Sequence, residues 1–185
     1  MTPVLGLDAS LTCTGWATWT ADGLTTGRIR SKLTGAARRA EIAWEVAFLI
    51  ERSFDAHPLV VIEAVPTRGA RAIVSLAELH GVVLDRLIGD PVLPDRRPAY
   101  LDADSLHTYA TGFRKATKAQ MVTAAQVDLG YAGKSDDEAD AAWLATVGRQ
   151  LLGETGPLFT AQRAAILPSV SWPEGISPIV SGAAT

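Results

Sequence analysis

Apolar positions along the chain fall into short continuous runs and longer helical stripes, and the runs come first. Val4-Leu5-Gly6-Leu7 is continuously apolar and stops at Asp8, which predicts a buried strand ending in a carboxylate. Thr14 to Thr20 is rich in Thr and Trp, and Asp22-Gly23 is a hairpin signal before Leu24 to Arg30, so the first three strands are expected to form an antiparallel meander. Ile42, Val46, Leu49 and Ile50 recur at helical spacing within Gly35 to Phe54, a helix with one face on a core and Arg38 and Arg39 facing out. Leu59-Val60-Val61-Ile62 is again continuous and stops at Glu63, as expected of a strand covered on both faces and reached by a helical crossover.

The second half continues in the same manner. Ile73, Leu76, Ala77, His80, Leu84, Leu87 and Ile88 form the stripe of a second helix, on which His80 is expected to be a satisfied core histidine. Pro91 to Pro98 is a proline-rich connection, Ala99-Tyr100-Leu101 a short last strand, and Thr111 to Ala116 an irregular basic loop. Thr117 with Gln120, and Ser135 with Glu138, have the form of capping boxes that open helices toward Gly130 and through Ala141, Leu144, Val147 and Leu151. The expected fold is α/β, a mixed five-stranded sheet with antiparallel strands 1–3 and then parallel strands, flanked by helices. It is expected to occupy residues 1–152. Prolines and glycines break every periodicity over 153–185, which is expected to be an extended or wrap-around tail.

Composition narrows the function classes. A single Cys13 rules out an internal disulfide framework, and without a Cys/His cluster a structural zinc site is not expected. No apolar run reaches the ~18 residues of a membrane span, and no signal-peptide pattern follows Met1, so a cytoplasmic protein without a membrane partner is expected. The net charge is −3, yet the charges segregate. Arg28, Arg30, Lys32, Arg38 and Arg39 occur with no acid between them, where an ordinary solvated face is the expectation. The acid-free stretch from Ser105 to Val127 carries Arg114, Lys115 and Lys118, and with Arg68 and Arg71 these are the candidate DNA contacts.

The acids carry the candidate chemistry. Asp8 and Glu63 both end strands, where sites gather in open α/β sheets. Asp140 lies in line with the apolar stripe of the last helix, and Asp137, three residues earlier, shares its face; Asp136 at i−4 is a rival that spacing does not exclude. First-turn acids also complement a helix dipole and need no further role. Two strand-end carboxylates and two on a facing helix form an all-oxygen donor set, suited to Mg²⁺ or Mn²⁺ rather than zinc.

Five motifs then occur in order: Gly6-Leu7-Asp8-Ala9-Ser10 with Thr14-Gly15, Val61-Ile62-Glu63-Ala64-Val65, Ala77-Glu78-Leu79-His80-Gly81, Ala110-Thr111-Gly112 with Lys118-Ala119-Gln120-Met121-Val122, and Asp137-Glu138-Ala139-Asp140-Ala141. Over about residues 4 to 150 this order resembles the RuvC-type Holliday-junction resolvases. The resemblance implies an RNase H-like fold and a homodimer that acts on four-way DNA junctions with two Mg²⁺ ions, making paired nicks. It selects Asp8, Glu63, Asp137 and Asp140 as metal ligands and matches Lys118 to a family lysine near the scissile phosphate.

Two departures bear on substrate choice. Val65-Pro66 stands where the family often has an aromatic residue that helps open the junction, and His107 stands where it has a lysine. A broader branched or flap nuclease is therefore the rival within the class. Small proteins of this kind also occur in bacteriophages, an origin a short chain with a divergent tail would suit. The opening Gly-Leu-Asp-Ala-Ser-Leu-Thr-Cys-Thr-Gly further resembles the first phosphate loop of sugar kinases and actin-like ATPases, although no second Asp-Gly-Gly-type loop follows. A DNA-binding module without catalysis is favoured only if one of the four acids faces solvent.

Overall fold

A computed structural model describes residues 2–54, 58–66, 70–88 and 98–172, with the side chains of 70–72 excepted. The strands are β1 (Val4–Asp8), β2 (Thr14–Thr20), β3 (Gly23–Ile29), β4 (Leu59–Glu63) and β5 (Ala99–Leu101). The helices are α1 (Gly35–Ser53), α2 (Ala70–Ile88), α3 (Ala103–Thr111), α4 (Lys118–Leu129), α5 (Asp136–Leu151) and the short α6 (Ala161–Ala164). The five strands form one mixed sheet in the order β3-β2-β1-β4-β5, antiparallel from β1 to β3 and parallel from β1 through β4 to β5. Continuous apolar runs at β1 and β4 produce the parallel centre, because those strands are covered on both faces.

Strand alternation decides which side each residue serves. Leu5 and Leu7 of β1, with Val60 and Ile62 of β4, pack against α1 and α2. Val4 and Val61 pack on the other side against α5. By the same parity Gly6, Asp8 and Glu63 point to the α5 side. That side is tight: a Cβ at Gly6 would fall on the Ala141 carbonyl oxygen, and one at Gly15 on the Asp137 carbonyl. The α5 surface is made of small residues, Ala139, Ala141, Ala142 and Ala145, all fully buried, which lets its backbone lie directly on β1 and β2.

Several expectations change. No element is expected over residues 102–110 from the pattern of the chain, yet α3 forms there. Asp102 caps it by accepting from the Ser105 amide at 2.9 Å, and Leu106, Tyr109 and Ala110 make its buried stripe. Thr117 and Gln120 do close a capping box at α4. Ser135 makes no side-chain cap at α5. Its amide instead donates to the Tyr131 hydroxyl at 3.0 Å, and Glu138 is drawn away by cationic and hydroxyl partners on β3. Arg39 does not face out: it reaches Glu78 of α2, Nη1 to Oε2 3.2 Å. His80 is buried and stacked near Tyr100, but its Nδ1 finds no partner, so it is not a satisfied histidine.

Beyond Gly153 the chain returns along the α3 side. Arg163 anchors it there, donating to the carbonyls of Leu158 (2.7 Å), Tyr109 (3.1 Å) and Ala110 (3.3 Å), and Ser171 bridges to Tyr100 of β5. Among the described residues no helix is long and apolar enough to cross a membrane.

Candidate functional site

Asp8 and Glu63 occupy the carboxyl ends of adjacent parallel strands, aligned by the Leu7–Ile62 register and both directed toward α5. Neighbouring strands lie about 4.8 Å apart, so the two carboxylates leave the sheet side by side. Gly15 pairs with Asp8 across the antiparallel edge of β1, and the bare backbone of Gly15 admits the first turn of α5 against it. That close approach sets Asp137 over the strand end. Asp140 follows one turn later, at a position facing the sheet, and its Oδ1 is buried without any hydrogen-bond partner. Two strand ends and one helix start thus bring Asp8, Glu63, Asp137 and Asp140 to one region.

Burial and mutual repulsion act on three of the four. The Asp8 carboxyl is pushed up to about 8, first by burial and then by the charges of Asp140, Asp137 and Asp136, with Lys118 opposing. Asp140 is pushed up to about 7 by burial and then by Glu63 and Asp136. Glu63 is pushed up to about 7 by burial, then by Asp8 and Asp102. Carboxylates that repel and lack counter-charge hold protons at neutral pH, and an added cation would relieve both penalties.

Fit to a divalent cation follows from the same features. The donors are all hard oxygen, the acids are coupled, and Asp140 Oδ1 is buried and unpaired. Among the described residues, however, no three His, Cys, Asp or Glu side chains already gather into a coordination cage. The two observations agree physically, because uncompensated carboxylates sense one another through a low-dielectric region while keeping their oxygens apart. The chemistry of the donor set suits a hard divalent cation.

The basic candidates divide. Lys118, at the start of α4, donates to the Asp136 carboxylate, which lowers the Asp136 carboxyl. Asp136 is therefore engaged by a cation, whereas the Asp137 side chain lies against Cys13 and near Arg30, and the charges of both acids reach Asp8. Arg114 is tied to Asp104 through Nη2 to Oδ2 at 2.7 Å, and Lys115 is exposed beside it. Arg68 lies outside the described residues, as does the side chain of Arg71.

Glu138 is the participant the sequence concealed behind a capping pattern. It accepts from Arg28 Nε (2.9 Å) and Thr26 Oγ1 (2.8 Å), with the Tyr131 hydroxyl at 3.4 Å, so β3 grips the start of α5. Nothing local in the sequence signals this pairing of distant segments. A cavity of about 740 Å³ lies between α3, α4 and residues 157–163, yet none of the four acids lines it, so cavity size does not mark the site.

No protein-family model matches the chain, and no curated protein matches its sequence. Solved structures do. Thermus thermophilus RuvC in complex with Holliday junction substrate is 17% identical, covering 78% of this chain and 91% of that one, with a TM-score of 0.63. Another Thermus thermophilus RuvC structure is 16% identical, covering 91% of this chain and 98% of that one, with a TM-score of 0.61. The chain therefore has the RuvC, RNase H-like fold expected from its sequence.

Proposed function

We propose that this chain is a divalent-cation-dependent, structure-selective DNA endonuclease that resolves four-way junctions. The observation that carries this reading is the set of buried, mutually repelling carboxylates at the strand ends, with Asp140 Oδ1 unpaired, in a fold shared with a protein solved on junction DNA. Asp8, Glu63, Asp137 and Asp140 would hold two Mg²⁺ ions, with Mn²⁺ able to substitute. When bound, such a pair supplies Lewis-acid chemistry suited to in-line phosphodiester hydrolysis.

The chain's own residues do the rest. Asp8, at the end of β1, would hold the cations together with Glu63 from β4 and Asp140 from α5. Lys118, exposed and paired with Asp136, would meet phosphate charge by exchanging Asp136 for a phosphate oxygen. Lys115 would extend that positive margin along the α3–α4 turn, and Arg114, once released from Asp104, is proposed with Arg68 and Arg71 as a further DNA contact. One chain carries one such acid set, so paired nicks on opposing strands call for two copies, and a homodimer is part of the proposal.

The test is incubation of the protein with labelled four-way, three-way, flap and linear duplex DNAs, with Mg²⁺ or with EDTA. Paired nicks in the four-way junction with Mg²⁺ alone are expected. Absence of cleavage in every substrate would remove the nuclease reading.

A further inference from the structure

The basic run from Arg28 to Arg39 has no role in the reading above, and the structure divides it. Arg28 is neutralised by Glu138 and Arg39 by Glu78. Arg30, Lys32 and Arg38 form no ion pair among the described residues. Arg30 Nε donates to Cys13 Sγ at 3.4 Å and Arg38 Nε to the Leu33 carbonyl at 2.6 Å, while Lys32 is exposed in the connection between β3 and α1.

Their placement relative to the acids is defined by register. Asp8 pairs with Gly15, and Gly15 pairs with Arg28, so the three lie on one line across the sheet. Arg28 is then about 9.6 Å from Asp8, two strand spacings away. Arg30 follows just past the end of that edge strand, near enough to Asp137 to feel its charge. The helix geometry fixes which flank this is. Asp136 and Glu138 are two residues apart, roughly 200° around α5. Lys118 holds the first and Arg28 the second, so the β3 edge and Lys118 stand on opposite sides of the acids.

Glu41 and Glu45 of α1 border a cleft of about 250 Å³ with Arg30 and Arg52, two carboxylates beside two guanidiniums once Arg28 is counted with Glu138, so the uncancelled charge of this edge comes from Lys32 and Arg38. Lys32 and Arg38 lie outside it. In a chain with a net charge of −3, unpaired cations confined to one flank of the candidate site are a local anion-binding surface.

We propose that Arg30, Lys32 and Arg38 form a second phosphate-binding strip that carries the DNA backbone away from the candidate site on the side opposite Lys118. This rests on the nuclease reading. The backbone is recognised as polyanion, so the strip contributes affinity and register without base preference.

Equilibrium binding of the whole protein to a labelled four-way junction, across a salt series in EDTA, tests it. The triple variant Arg30→Gln, Lys32→Gln, Arg38→Gln should lower the steepness of log K against log salt by about 2 to 3, at about 0.9 per lost phosphate contact. Lys32→Gln alone, on an exposed connection, should remove about one unit and guards against misfolding of the triple variant. Charge-conserving exchanges, Arg30→Lys, Lys32→Arg and Arg38→Lys, should keep the wild-type slope. Wild-type slopes in the Gln variants, or equal losses in the charge-conserving set, would overturn the strip and leave the nuclease reading in place. A wild-type slope near zero would instead sink the nuclease reading itself.

Discussion

Replacing Asp8 by Asn should stabilise the metal-free protein while removing its chemistry. Asp8 is pushed from an ordinary 3.8 to about 8, so at pH 8 the fold holds an acid whose ionisation it opposes. At about 1.36 kcal/mol per pKa unit the ceiling on that penalty is ~6 kcal/mol. The shift belongs to a coupled set rather than to Asp8 alone, which reduces its share to about 2–4 kcal/mol. Burying an amide that lacks a partner returns about 1–3 kcal/mol of cost. The net expectation is a gain on the order of 1 kcal/mol at pH 8 in EDTA, or roughly 2–4 °C in melting temperature for a chain of this size.

That gain depends on pH. A carboxyl whose folded value is raised makes the native state bind more protons than the unfolded state, between about pH 4 and 8, so its penalty grows as pH rises through that window. Near pH 5 Asp8 is protonated in the fold and the advantage of Asn should largely vanish. Thermal melts of both proteins at pH 5 and pH 8 in EDTA, beside junction cleavage in Mg²⁺, read both effects. Cleavage should fall by at least about a hundredfold, since even outer partners of metal ligands carry tenfold to hundredfold. An Asn variant that melts well below wild type at pH 8, or that cleaves within a few-fold of it, would refute the reasoning.

Further outcomes follow from the same geometry. Asp137→Asn should abolish turnover, whereas Asp136→Asn should release an exposed Lys118 pair worth up to about 1 kcal/mol and cost little activity; single-turnover rates of the two variants check the ranking, and the reverse order would refute the register of α5. Wild-type melting temperature in EDTA should fall as pH rises from about 5 to 8, because Glu63 and Asp140 are pushed up to about 7 and Asp8 to about 8, and added Mg²⁺ should flatten the trend; a rising curve would contradict the buried-acid assignment. With Val65-Pro66 in place of an aromatic wedge, whose stacking would contribute about 1–3 kcal/mol, three-way or flap DNA should be cut within about tenfold of the four-way junction. Four-way selectivity above about a hundredfold in side-by-side rates would show that another element opens the branch point.

The central sheet was legible because its strands are continuous apolar runs that stop abruptly at acids. Asp8 and Glu63 stood out for that reason, and Asp140 because it interrupts a helical stripe. What the sequence withheld was of two kinds. Helix α3 was missed although Asp102 with Ser105, followed by Leu106, Tyr109 and Ala110, carries a cap and a stripe. It is only 9 residues long, and adjacent polar residues dilute its period. Contacts between distant segments leave no local trace at all. Glu138 looks like a capping residue until Arg28 and Thr26 are folded against it, and Gly15 looks like an ordinary strand position until the Asp137 backbone occupies the space where its Cβ would be.

The claim that four acids of one chain hold the cations that cut branched DNA is tested most directly by single-turnover cleavage of a labelled four-way junction. Wild type and the variants Asp8→Asn, Glu63→Gln, Asp137→Asn and Asp140→Asn would be compared in Mg²⁺, with junction binding measured in parallel in EDTA. Paired nicks by wild type, and loss of cleavage with retained binding in each of the four variants, are the predicted result. Cleavage that survives removal of any two of these carboxylates, or that wild type carries out equally well in EDTA, would contradict it.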